Sequence, residues 1–169
     1  MTTCQTITID YEEEMKNTRK LLERVPLDDA HRSYKPHPKS APLERLATHV
    51  AELPAWPKMA LGSEVFELRP DFKHRIAAST AELLEIFDQS VEAGRASIAG
   101  AADEELQKNW TFKFGDQISF TEIRTKVIRS FINHLVHHRA QLGVYLRLSE
   151  IAIPGMYGPS ADEGWPGPR

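Results

Sequence analysis

The segment from Phe120 to Leu148 constrains this chain most. It holds no proline, and its apolar residues recur every three or four positions. With about 100° of rotation per residue and His134 set at zero, Val127, Phe131, His138, Leu142 and Tyr145 fall between about 20° and 80°. Ile123 then lies at about −20° and Leu135 at about 100°. A stripe of that width must be covered by other elements, so a long amphipathic helix packed against partners is expected.

Three further segments supply partners. From Tyr11, with Asp10 as the expected N-cap, Tyr11, Met15, Leu22 and Val25 share a face until Pro26 closes the helix; Cys4 then lies ahead of it. Residues 26–41 hold Pro26, Pro36 and Pro38 and read as a loop. Ser40 is placed to cap a second helix whose buried face is Leu43, Leu46, Val50 and Leu53, with Pro54 and Pro57 bending or ending it near Trp56. A third helix of about 28 residues is expected after Pro70, capped by Asp71, carrying Ile76, Thr80, Leu83, Phe87, Val91 and Ile98, and stopping at Gly100. Trp110, Phe112 and Phe114 alternate with polar residues ahead of Gly115-Asp116, the pattern of a short hairpin or of a covering loop with aromatic anchors. Residues 150–169 form a tail rich in proline and glycine. These elements predict an all-α four-helix bundle in a single domain spanning residues 1–169, with a short hairpin or loop before the last helix.

A chain of 169 residues with a net charge of −3 and no run of five like charges is not built chiefly to hold nucleic-acid phosphates. One cysteine excludes an internal disulfide and any multi-thiolate metal site. No stretch approaches the length of a membrane span, and the N-terminus lacks the basic start and apolar run of a secretory signal, so a cytoplasmic protein is expected. Phosphate loops, dinucleotide fingerprints and nucleophile elbows are missing as well.

The chemistry sits on the last helix. His134 and His138 are four residues apart on the apolar stripe, where an unpartnered imidazole costs roughly 1–3 kcal/mol. Hydrogen-bonded core histidines and a pair chelating one metal ion both account for that spacing. A third ligand would have to come from another element. His49, on the border of the second helix's apolar arc, reaches an adjacent helix; His74 is placed near an end of the bundle, and His31 and His37 lie in the proline-rich loop. On the last helix, His137 sits at the edge of the face, Gln141 reaches the edge of the site, and Arg139 points away from it toward a salt bridge or a subunit contact. A di-iron carboxylate centre is excluded, because Leu46, Phe131 and Leu135 stand where its glutamates would precede the histidines by three.

Residues 132–148, INHLVHHRAQLGVYLRL, resemble the last-helix signature of the DinB-like (YfiT-like) metal-binding superfamily, and 43–56, LERLATHVAELPAW, are similar to its second-helix motif. The segment IPGMYGPSADE at 153–163 resembles the tail of one bacterial subgroup. The resemblance implies an up-down-down-up bundle, commonly a homodimer. It also implies one divalent transition metal (zinc, nickel or iron) held by His49, His134 and His138. Two functions follow as expectations. One is a metal-dependent enzyme acting on a small molecule, through transfer of a low-molecular-weight thiol or through hydrolysis, with open coordination positions near Trp56, Trp110 or Tyr145. The other is a metal-stabilised dimeric stress-response or binding protein without catalysis. Neither nucleic acid nor membrane is expected as a partner.

Overall fold

A computed structural model describes residues 1–164. The order is α1 (Thr3–Leu22), α2 (Leu43–Glu52), a 3-10 turn (Leu53–Ala55), α3 (Trp56–Gly62), β1 (Val65–Leu68), α4 (Thr80–Ala99), α5 (Asp103–Leu106), β2 (Asn109–Phe114), β3 (Gln117–Ile123) and α6 (Arg124–Leu148). No helix among the described residues is long and apolar enough to cross a membrane.

The structure corrects the all-α four-helix bundle. The chain is mostly helical, but it carries a three-stranded mixed sheet of order β1-β2-β3, with β1 parallel and β3 antiparallel to β2. The alternation of Trp110, Phe112 and Phe114 marks β2, and Gly115 turns the hairpin at φ 54°, a conformation natural to glycine. The four-residue β1 carries too short a pattern to stand out; pairing with β2 makes it a strand, placing Phe66 beside Phe112.

Three helix starts also move. α1 begins eight residues before Tyr11, because Thr2 and Gln5 form a capping box, so Asp10 is interior and Cys4 lies within the helix, its thiol donating to Ile98 O. α2 starts after Pro42, with no cap from Ser40. α4 starts at Thr80 under a Ser79 cap rather than after Asp71. Residues 71–78 instead run along α2, where the buried Ala77 N–H donates to Thr48 Oγ1 at 3.0 Å. The tail expected at 150–169 has neither helix nor strand through Gly164; residues 165–169 lie outside the described residues.

α6 is rotated from its expected facing. Val127, Ile128, Ile132, Leu135, Arg139, Leu142, Tyr145 and Leu146 are its buried apolar-arc residues, and their mean direction is about 95° from His134, some 55° beyond the arc expected from periodicity. The difference comes chiefly from Ile128, Ile132 and Leu146, buried at about 120–160°, and Arg139 lies among them at about 140°. Expected to face away, it is 3% exposed, paired with Glu14 Oε2 at 2.6 Å and donating to Glu14 O and Thr18 Oγ1 at 3.1 Å. A buried, fully bonded guanidinium is tolerated where a bare one is not. His134 and His138 are thereby left half-buried on the shoulder of the helix.

α2 is broken because Pro54 has no N–H for the helical ladder. At the break the Tyr11 hydroxyl donates to the Pro54 carbonyl at 2.9 Å, with Val91 O at 3.1 Å. Gly94 permits this approach: a Cβ there would meet Pro54 O at 2.1 Å and the Tyr11 hydroxyl at 2.3 Å. In an open helix interior Gly→Ala stabilises by about 1 kcal/mol. Here the sign reverses: Gly94→Ala is expected to destabilise by roughly 2–3 kcal/mol, the usual cost of overpacking, read as a lower urea midpoint.

Candidate metal centre

α2 and α6 pack side by side. His49 lies on the half-buried flank of α2, opposite His134 and His138 one turn apart on α6. Their rings form a closed triangle, with centroids 5.4 Å apart for His49–His134, 4.8 Å for His49–His138 and 4.4 Å for His134–His138. One nitrogen from each lies within 4.8 Å of the others. The Nε2 atoms of His49 and His134 are 3.2 Å apart, close to the edge of about 3.3 Å that two nitrogens at 2.0–2.1 Å from a tetrahedral zinc would span.

The donor set suits a cation. Burial foremost, and then the neighbouring charges of His138, Arg45, His134 and His74, pull the His49 pKa down to about 3. Burial likewise lowers His134 and His138. All three are neutral at pH 7, with lone pairs available. Gln141 Oε1 lies 2.7 Å from His138 Nδ1; accepting the Nδ1 proton leaves the Nε2 lone pair for a metal, the outer-shell arrangement of ligating histidines. Trp56, set by the Pro54 break, stacks on His134 at 5.3 Å. From it an aromatic run continues through Phe131 at 5.2 Å to Trp110 at 5.9 Å and on to the sheet.

The other candidates separate from the triad. His31 pairs with Asp28, His37 accepts from the Lys39 N–H, and His137 is exposed. Trp110 is buried under the sheet, and Tyr145 is tied to Ala41 O and Tyr34. His74 precedes α4, and the docking of Ala77 on Thr48 brings it to Arg45 in the first turn of α2; the Arg45 Nη2 donates to His74 Nδ1 at 2.5 Å. Sequence reasoning missed Arg45 and Glu52. Both lie on the flank of α2 that carries His49, at i−4 and i+3, a spacing that would have found them once His49 was taken as a ligand.

A family model described as "DinB family" matches residues 3–165, and the chain belongs to that family. Solved structures agree in fold. A DinB-like protein from Bacillus cereus ATCC 10987 superposes with a TM-score of 0.70 at 20% identity, covering 90% of this chain and 97% of the other. A DinB-like protein from Bacillus subtilis gives 0.67 at 18% identity, covering 89% and 96%. No curated protein sequence matches the chain.

The depressed histidines set a pH dependence for the metal-free protein. Below about pH 6.5 the unfolded chain takes up protons at these imidazoles that the folded chain does not, so stability is full above that pH and falls as pH drops. The urea midpoint is expected to fall from pH 7 to pH 5, and to fall less in His49→Gln. An equal fall in both would contradict the burial of His49.

Proposed function

We propose that this DinB-family protein binds one divalent transition metal (zinc, nickel or iron) through His49, His134 and His138 and acts as an enzyme on a small molecule. The observation carrying this is the chemistry of the donor set: three neutral imidazoles from two helices, with no carboxylate or thiolate joining the cluster among the described residues. Three protein ligands with positions left over are the pattern of catalytic rather than structural sites. When bound, such an ion supplies Lewis-acid polarisation of a thiol or a water, which suits thiol transfer or hydrolysis.

The chain's own residues do the rest. Gln141 holds the His138 tautomer. Trp56 shields the His134 flank from solvent, and Phe131 braces Trp56 from behind. The shoulder position on α6 leaves the centre half-buried, dry enough to keep the imidazoles neutral and open enough to admit a ligand.

Elemental analysis of protein purified without an affinity tag is expected to give one metal per chain, and X-ray absorption a first shell with three imidazoles and at least one non-protein donor. His138→Ala should abolish tight binding, and Gln141→Leu should weaken it by about 10–100-fold, as removal of an outer-shell partner does. A fourth protein ligand would assign the metal a structural role.

We also propose that the chain forms a homodimer through the outer face of α6. There Ala140 and Gly143 floor an apolar groove of about 470 Å³, and Val144 and Leu148 are 57% and 55% exposed. Large exposed apolar side chains beside small ones suit close helix approach. Light scattering should find a dimer, and Val144→Glu a monomer with unchanged metal affinity.

A further inference from the structure

Arg45 stands one helical turn before His49 on α2, and its surroundings are unusual for a cation. Nη1 is shut away from solvent with no hydrogen-bond partner. Nη2, on the exposed side, donates to His74 Nδ1 at 2.5 Å, a neutral acceptor that satisfies one N–H and leaves the charge uncompensated. Among the described residues no carboxylate comes within 4 Å of this guanidinium, whereas the half-buried Arg32 and the buried Arg124 and Arg139 are each paired with a glutamate. Glu52, the nearest acid in electrostatic terms, feels both Arg45 and Arg75 but forms an ion pair with neither. Arg45 in turn is felt by His49 and His138, which places its charge beside the three-histidine centre.

The charges do not balance within the protein. Three neutral imidazoles bring no negative charge to a dication, and Arg45 adds another positive charge next to it. Removing one partner from a buried ion pair is costly because the other charge is left uncompensated. Within the chain Glu52 offsets part of the Arg45 charge without forming an ion pair, which leaves the guanidinium free to bond an anion from outside. The planar fork of arginine matches carboxylate and phosphate oxygens, two bonds at once.

We infer that Arg45, flanked by His74, is an oxyanion subsite of the histidine centre, so that the small molecule taken there carries a carboxylate or phosphate group. This rests on the metal-binding reading for the ligand's second anchor, while the subsite itself is testable without it. Arg45 positions the ligand from a distance of one helical turn, and the acid group fixes which end of the molecule reaches the histidines.

The test uses 3-mercaptopropionate and its neutral amide, which share a thiol and differ in the acid group. Each is titrated into the cobalt(II)-loaded protein and followed by the cobalt visible spectrum. The acid is expected to bind at least about tenfold more tightly, the value of one charge-assisted hydrogen bond. Arg45→Gln should remove that preference while the protein still folds and still binds cobalt, and Arg45→Lys should restore part of it. Equal affinity for acid and amide in the unaltered protein, or a preference that survives Arg45→Gln, overturns the subsite. Competition by acetate or by inorganic phosphate identifies which oxyanion it prefers; failure of both to compete also overturns it. Should cobalt not bind, the metal reading falls. The same two probes are then titrated against metal-free protein through tryptophan fluorescence, where an Arg45-dependent preference for the acid upholds the subsite and its absence removes it.

Discussion

Pro54 cannot donate a backbone hydrogen bond, and much of the functional geometry follows from that one missing N–H. The second helical rod breaks after Glu52, and the Pro54 carbonyl turns to the Tyr11 hydroxyl. Burial pushes the Tyr11 phenol far above its ordinary pKa, so it stays a donor. The contact locks α1 to the break, and the bare Cα of Gly94 lets α4 close over both. Past the break, α3 opens with Trp56, whose ring lies along His134. A straight second helix would carry Trp56 elsewhere and leave the histidine flank open.

Electrostatics then divides α6 into two faces with different duties. Arg139 is drawn inward because Glu14, the Glu14 carbonyl, Thr18 and Tyr157 satisfy it from α1 and the tail. It lies about 100–140° around the helix from the imidazoles, which occupy the shoulder. A core position would favour dry, hydrogen-bonded histidines with no route for a ligand, and a solvent position would leave them titrating near their ordinary pKa. The shoulder keeps them neutral and reachable. Arg45, on the facing flank of α2, brings the opposite problem of a charge without an ion-pair partner, the basis of the proposed oxyanion subsite.

The sheet, absent from the helical expectation, serves the same centre. Phe66, Phe112 and Phe120 stack across β1, β2 and β3 at 6.1 and 5.6 Å, and Trp110 carries that layer to Phe131 and so to Trp56. The hairpin half of the sheet was legible from period-two alternation ahead of Gly115-Asp116. The remaining strand was not, because four residues from Val65 to Leu68 acquire their conformation from pairing with β2. The α1 and α4 starts are encoded as well, in Thr2–Gln5 and Ser79–Glu82, but these caps lie outside the apolar stripes.

Local sequence determined what depends on neighbours along the chain: the long last helix, the His134–His138 spacing, the break at Pro54 and the turn at Gly115. Periodicity also found the apolar side of α6, though displaced, since Ile128, Ile132 and Leu146 are covered by other elements and Arg139 meets Glu14 on another helix. His49 is indicated as the third ligand by its place on the second helix and by the family resemblance; only the tertiary structure decided that its ring closes on the pair, that His74 comes to Arg45, and that Arg45 forms no ion pair. Those outcomes depend on contacts between residues far apart in the chain, where the packing of one helix on another, and not the spacing along either, sets which side chains meet.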